Sequence, residues 1–203
     1  MKIICIGRNY INHAKEMNSP VPEKPVFFLK PDSCIVRNNQ PFFYPNFTQN
    51  LHHEIEIVVK LDRLGRNISE KFAHRYYNEI GLGIDFTARD LQEECKQKGL
   101  PWEISKAFDG SAPISKFTPK TEFEKLENID FRLEINDQEV QRGNSRDMIF
   151  SIDRLIAYVS QFITIRTGDL LFTGTPAGVG PVQIGDRLKG YLNGNLMLDF
   201  FVR

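Results

Sequence analysis

The segment His52-His53-Glu54-Ile55-Glu56-Ile57-Val58-Val59 alternates polar and apolar residues before it becomes continuously apolar. Side chains two residues apart on a β-strand share a face, so Glu54 and Glu56 project side by side while the isoleucines between them face the core. Two such carboxylates raise each other's pKa unless a cation lies between them. The strand is therefore a candidate metal site, with His52 on the same face as a further possible ligand. Taken alone, the pattern also fits a solvent-facing edge strand.

Short strand patterns recur along the rest of the chain. Runs rich in β-branched or aromatic residues and bounded by turn residues occur at 26–29, 131–135 and 169–173. Asn193-Gly194 lies between apolar runs, which is the strongest short indication of a β-hairpin. These patterns predict a mostly β fold.

Three helices are predicted around these strands. Residues 87–98 begin with a Thr-x-x-Asp capping signature and end before Gly99, and residues 151–162 carry apolar side chains on one face. A short helix is expected within 10–17. The fold class is mainly β with peripheral helices (α+β), in a single domain over residues 1–203.

Composition excludes several classes of protein. The 203 residues include 26 Lys+Arg and 26 Asp+Glu, whereas a nucleic-acid-binding protein usually carries a basic excess. The longest apolar run, 155–159, is too short to span a membrane, and the first residues lack a secretory pattern. A cytoplasmic location is expected. Cys5, Cys34 and Cys95 lack metal-binding spacing and are expected to be buried, reduced thiols.

Asp85 follows an apolar strand at the point where the 87–98 helix pattern opens. A carboxylate there is often only a helix cap. On the helix, Arg89, Gln92 and Lys96 share a face. This directs Arg89 and Gln92 together toward any ligand that Asp85 binds. A guanidinium is suited to bind a substrate carboxylate through two parallel hydrogen bonds.

Two further side-chain groups suit proton transfer. His13 and Glu16 are neighbours on a helix, where the carboxylate orients the imidazole as a general base; a surface pair without such a role has the same spacing. Lys106 lies between Trp102 and Phe108, which predicts partial desolvation. Lys106 is expected to act as an acid or oxyanion partner, or to extend its ammonium group to water.

Residues 173–181 form a glycine-rich run without the Lys-Ser/Thr of a phosphate-binding loop. Its amides and hydroxyls still suit a small anion. The chain contains no HExxH or Gly-x-Ser-x-Gly motif, which disfavours zinc peptidases and serine hydrolases.

Together these segments resemble the fumarylacetoacetate hydrolase family, in its branch of short acylpyruvate hydrolases and oxaloacetate decarboxylases. The resemblance extends in order along nearly the whole chain. It is carried by Gly7-Arg8-Asn9-Tyr10 with His13 and Glu16-Met17, Phe28-Leu29-Lys30-Pro31, His52 to Glu56, Asp85 to Asp90, Lys98 to Trp102, Met148 to Ser151, and Gly168-Asp169 to Pro181.

The resemblance implies a mixed β-roll or sandwich fold, a homodimer, and Mg²⁺ or Mn²⁺ held at Glu54, Glu56 and Asp85. An all-carboxylate set suits such oxygen-seeking ions better than zinc. The resemblance also implies a lid helix over 10–17 that carries His13 and Glu16. The remaining matches are an active-site lysine at Lys106 and substrate-contacting positions at Arg89, Gln92, Lys30 and Thr175.

The main functional expectation is metal-dependent hydrolysis of a C–C bond in acylpyruvate-type 2,4-dioxo acids, giving pyruvate and a carboxylic acid. His13, oriented by Glu16, would activate water, and Lys106 would face the oxyanion. Oxaloacetate decarboxylation and enol–keto tautomerisation or isomerisation pass through the same enolate and remain alternatives. A non-catalytic metal- or acid-binding module is the second alternative. The expected partner is a small 2-oxo acid, with neither nucleic acid nor membrane involved.

Overall fold

The strand patterns of the sequence form a layered β structure in the computed structural model, which describes residues 1–17 and 20–203. The strands of this part of the chain are β1 (Lys2–Gly7), β2 (Val26–Pro31), β3 (Ile35–Val36), β4 (Leu51–His53), β5 (Ile55–Leu61), β6 (Tyr77–Ile84), β7 (Thr87–Ala88), β8 (Ala112–Pro113), β9 (Thr118–Pro119), β10 (Asp130–Ile135), β11 (Gln138–Asn144), β12 (Leu170–Phe172), β13 (Gly180–Pro181), β14 (Arg187–Leu192) and β15 (Asn195–Phe201).

The helices are short and lie between the strands in the chain. They are α1 (Ile11–Glu16), α2 (Glu70–Ala73), α3 (Arg89–Lys98), α4 (Glu103–Lys106) and α5 (Ile152–Phe162), with 3-10 turns at Asp32–Cys34, Lys120–Glu122, Leu126–Asn128 and Ser145–Asp147. None of the helices in the described ranges is long and apolar enough to cross a membrane. The prediction of a mainly β fold with few helices is confirmed.

Two larger sheets hold most of the core. The first has the order β2-β1-β12-β5-β6-β9 and the second the order β11-β10-β14-β15; smaller sheets are β13-β4-β7 and β3-β8. On β5, Ile55 and Ile57 pack with Phe131 and Leu198 of the second sheet. Val58, on the opposite face, packs with Phe172 and other apolar residues of the first sheet. The part of β5 that carries Glu56 is therefore covered on both faces, which buries this carboxylate.

Local predictions hold where nothing distant competes with them. The Ser151 hydroxyl accepts a hydrogen bond from the Arg154 amide at 3.3 Å and caps α5. Asn193 and Gly194 turn the β14–β15 hairpin at φ values of 46° and 81°. The cysteines at 5, 34 and 95 are buried and unbonded to one another.

The prediction that a helix begins at Thr87 was wrong. Thr87 and Ala88 form strand β7, which pairs with β4, so α3 begins only at Arg89. The Asp90 carboxylate accepts hydrogen bonds from Thr48 Oγ1 at 2.5 Å and the Gln49 amide at 3.0 Å. Strand pairing to a distant segment thus overrides the local helix cap.

Candidate active site

The pairing register of β5 and β6 brings the three predicted metal ligands together. Ile55 lies opposite Ile84, and the Asp85 amide donates to the Glu54 carbonyl at 2.8 Å, so Asp85 emerges beside Glu54. One carboxylate oxygen from each of Glu54, Glu56 and Asp85 lies within 4.8 Å of the others. All three residues are at most 5% exposed. The carboxylates therefore form one buried cluster.

Basic side chains compensate two of these carboxylates. Lys106 Nζ lies 2.8 Å from both Glu54 Oε2 and Asp85 Oδ2, and Arg89 Nη2 lies 2.6 Å from Glu54 Oε1. Burial alone would raise the pKa of Glu54, but Lys106 and Arg89 hold that pKa well below its ordinary value. Burial likewise opposes the charge of Lys106, yet Asp85 and Glu54 raise its pKa overall. Lys106 is consequently a firmly protonated cation in this arrangement.

Glu56 is in a different electrostatic environment. It has no ion-pair partner within residues 1–17 and 20–203, and its carboxylate accepts a hydrogen bond from the Gly174 amide at 2.6 Å. Burial, followed by the charges of Asp85 and Glu54, raises the pKa of Glu56 well above its ordinary value. A cation adjacent to Glu56 would remove this penalty.

The cluster fits a divalent metal ion. Its donors are carboxylate oxygens, without sulfur or imidazole, which suits a hard cation. Asp85 Oδ1 lies 2.6 Å from Lys30 Nζ, but at an angle that gives this buried oxygen no directed hydrogen bond. His52 is outside the cluster, since its Nε2 lies 2.9 Å from Asn50 Oδ1.

The glycine-rich run places two amides at the site. Gly174 has a φ of 101°, and an added Cβ would lie 2.7 Å from Asn9 Cβ, so glycine is required where the amide meets Glu56. The Gly178 amide donates to Glu16 Oε1 at 3.0 Å. These amides of the predicted anion-binding run therefore bind carboxylates of the protein itself.

The second of these carboxylates belongs to the predicted proton-transfer pair. Helix α1 occupies most of the predicted 10–17 range, and His13 Nδ1 lies 3.2 Å from Glu16 Oε2. His13 is 6% exposed, and its Nε2 is the ring nitrogen left for other partners. The Gly178 amide and Glu16 together fix the orientation of the imidazole.

These groups surround one small, partly open cavity with a volume of about 50 Å³. Its lining combines the carboxylate cluster, several cations and apolar side chains. The lining residues are Ile6, Gly7, Arg8, His13, Met17, Phe28, Glu54, Glu56, Asp85, Arg89, Gln92, Lys96, Trp102, Lys106 and Thr175. The narrow cavity and its charged lining suit only a small, polar ligand.

Lys30 occupies a different place from the other predicted contact residues. Its ammonium group is buried against Asp85, the Ser111 carbonyl at 2.9 Å and the Ser111 hydroxyl at 3.0 Å, and Lys30 is outside the cavity lining. This arrangement orients Asp85 from behind. Arg89 and Gln92 do line the cavity together, with Arg89 Nη1 donating to Gln92 Oε1 at 2.7 Å.

A profile of the fumarylacetoacetate hydrolase C-terminal family matches residues 2–197. The chain belongs to the fumarylacetoacetate hydrolase family. It is 43% identical over 200 residues to the mitochondrial oxaloacetate tautomerase of Bos taurus, covering 98% of this chain and 90% of that protein. It is 39% identical over 206 residues to the mitochondrial oxaloacetate decarboxylase of Dictyostelium discoideum, covering 100% and 94%.

The fold of this family member also matches a solved structure. Fumarylpyruvate hydrolase from Pseudomonas aeruginosa, in complex with Mn²⁺ and pyruvate, superposes with a TM-score of 0.94 at 37% identity. The match covers 100% of this chain and 89% of that one. The family to which the chain belongs is therefore an enzyme family, and its relatives include tautomerase, decarboxylase and hydrolase activities by name.

Sequence patterns did not predict the role of Gln141 in this family member. Gln141 lies on β11, 2% exposed, and its Oε1 accepts from His53 Nδ1 at 2.8 Å and the Ile55 amide at 3.0 Å. Its Nε2 donates to Thr175 Oγ1 at 2.9 Å and the Pro176 carbonyl at 3.0 Å. Gln141 thus ties the metal-ligand strand to the glycine-rich run. A lone glutamine on a strand carries no pattern that would predict this.

Proposed function

We propose that this protein is a divalent-metal-dependent oxaloacetate tautomerase, which moves a proton between C3 and the 2-oxygen of oxaloacetate. The observation that carries the proposal is the meeting of the oriented His13 imidazole and the carboxylate cluster in one small cavity. The names of relatives that match along nearly the whole chain favour this reaction over hydrolysis.

Bound Mg²⁺ or Mn²⁺, held by Glu54, Glu56 and Asp85, would supply Lewis-acid stabilisation of the negative charge that develops on a 2-oxo acid. His13 Nε2 takes the proton from C3, because its Nδ1 faces Glu16, and the resulting imidazolium gives a proton to the 2-oxygen to complete the enol. Lys106 donates two of its three N–H groups to Glu54 and Asp85, and the third is left to stabilise the oxyanion.

Arg89 supplies a donor for the substrate carboxylate. Its two terminal nitrogens are held by Gln92 and Glu54, which fixes the plane of the guanidinium. Its Nε is buried and makes no hydrogen bond within the described ranges. An unpaired buried donor of this kind is costly unless a ligand satisfies it. A carboxylate is the ligand that it would bind most strongly.

The test measures the rate of enol–keto interconversion of oxaloacetate by the ultraviolet absorbance of the enol, with Mg²⁺ and with chelator. We expect acceleration with Mg²⁺, its loss with chelator, and a roughly 10²–10⁴-fold loss in His13→Ala. His74→Ala is the matched control, because His74 is exposed and lies outside the cavity lining. Full activity in His13→Ala would contradict the assigned base.

Cleavage of acylpyruvates, the main expectation from sequence, is the second candidate, and a fumarylpyruvate hydrolase among the relatives supports it. Pyruvate release from acetylpyruvate measures hydrolysis, and pyruvate release from oxaloacetate measures decarboxylation. Faster turnover of acetylpyruvate than of oxaloacetate would reverse our choice. Inactivity on both, with Mg²⁺ bound, would favour the non-catalytic module. Homodimer formation and a cytoplasmic location stay predictions.

A further inference from the structure

One face of α3 extends from the carboxylate cluster to the mouth of the cavity. Arg89, Gln92 and Lys96 lie on this face, at intervals of three and four residues, and all three line the cavity. Gln92 is 4% exposed, and the Arg89 side chain is 13% exposed, whereas Lys96 is exposed. The helix therefore places Arg89 at the deep end and Lys96 at the rim, about 10 Å further along its axis.

Lys96 forms no ion pair within residues 1–17 and 20–203, in contrast to the next lysine along the helix. Lys98, on the same helix, lies 2.6 Å from Glu94 and forms an i,i+4 ion pair. Partial burial lowers the pKa of Lys96, and the positive charges of Arg89 and Arg8 lower it further. An uncompensated cation beside other cations marks a position that an anion would stabilise.

The charges at the deep end indicate what kind of anion would suit the cavity. The three carboxylates of the cluster and the three cations of Lys30, Lys106 and Arg89 have a net charge of zero together, although Glu56 has no ion-pair partner of its own. A divalent metal ion would leave this end with two positive charges. A monoanionic acylpyruvate would neutralise one of them, whereas a dicarboxylate would neutralise both.

We propose that Lys96 binds the second carboxylate of a 2-oxo dicarboxylate and thereby selects dianionic substrates over monoanionic acylpyruvates. This inference rests on the proposed function for the chemistry at the deep end. It adds a specificity-determining residue at the rim. Lys96 acts on the half of the substrate that does not react, so its loss is expected to change KM more than kcat.

The experiment compares Lys96→Met with Lys98→Met in the Mg²⁺-loaded protein. We expect Lys96→Met to raise KM for oxaloacetate roughly fivefold, the size of effect typical of a partly exposed ion pair, with kcat little changed. Inhibition by 2-oxobutanoate, which lacks a second carboxylate, is expected to be the same in both variants. Lys96→Arg is expected to restore most of the affinity for oxaloacetate.

The outcomes separate this inference from the proposed function. Wild-type protein that turns over oxaloacetate, with Lys96→Met equal to Lys98→Met in KM, would overturn the role of Lys96 alone. Wild-type protein that does not turn over oxaloacetate would overturn the proposed function. In that case calorimetric titration with oxaloacetate and 2-oxobutanoate tests Lys96 directly. A dicarboxylate preference that Lys96→Met abolishes supports the role, and an unchanged preference refutes it.

Discussion

Glu56→Gln is the substitution that most directly tests the carboxylate cluster. Glutamine has nearly the same shape as glutamate and can still accept the hydrogen bond from the Gly174 amide. The change removes one negative charge that has no ion-pair partner within the described ranges. It is therefore expected to stabilise the metal-free protein while it abolishes metal binding, whereas most substitutions of buried residues destabilise.

The magnitude follows from the spacing of the carboxylates. At a separation of at most 4.8 Å and an effective dielectric constant near 20, one charged neighbour costs ionised Glu56 about 3.5 kcal/mol, and the positive charge of Lys106 offsets part of the sum from Glu54 and Asp85. The raised pKa means that folded Glu56 binds a proton more tightly than unfolded Glu56, so the metal-free protein loses stability as pH rises from about 4.5 toward that raised pKa. We expect Glu56→Gln to remove this loss and to stabilise the metal-free protein by up to about 3 kcal/mol at alkaline pH.

Glu56 destabilises the metal-free protein, but it is needed for the stabilisation that bound metal provides. At a Mg²⁺ concentration 100 times its Kd, binding stabilises the folded wild-type protein by about 2.7 kcal/mol, which raises Tm by roughly 5–10 °C for a chain of this size. We expect no such rise in Glu56→Gln.

Thermal unfolding with chelator and with Mg²⁺ measures both effects. Glu79→Gln is the control, because Glu79 lies on neighbouring β6, away from the carboxylate cluster, in a partly exposed ion pair with Lys60. A full Mg²⁺-dependent rise of Tm in Glu56→Gln would refute the assignment of Glu56 as a ligand.

Three further substitutions test the surrounding structure. Gln141→Leu removes four buried hydrogen bonds, and we expect a loss of about 3 kcal/mol in urea unfolding together with reduced kcat through misplaced Thr175. Burial, Arg89 and His53 lower the pKa of His52 to about 4, so the free energy of unfolding falls as pH drops from 6.5 to 4. We expect His52→Gln to flatten this part of the stability–pH profile, and the control His74→Gln to leave it unchanged. Ser151→Ala removes the cap of α5 and should cost about 1 kcal/mol of unfolding free energy.

The sequence predicted those features that depend on neighbouring residues. The two-residue period of the strand placed Glu54 and Glu56 on one face, and the hairpin and the cap of α5 followed from Asn193-Gly194 and Ser151. The three-residue spacing of His13 and Glu16 likewise indicated a pair that the structure contains. Each of these features is set by backbone geometry within a few residues.

Tertiary structure decided which polar groups meet. The register of β5 and β6 places Asp85 beside Glu54. The pairing of β7 with β4 moves the start of α3 from the predicted Thr87 to Arg89. Gln141 contacts His53, which lies 88 residues away in the chain. Burial and charge balance depend on such distant pairings, because a local pattern gives the direction of a side chain but not its partner. The sequence therefore identified the carboxylates as possible ligands. Only the folded chain determined that Glu56 lacks a cationic partner within the described ranges.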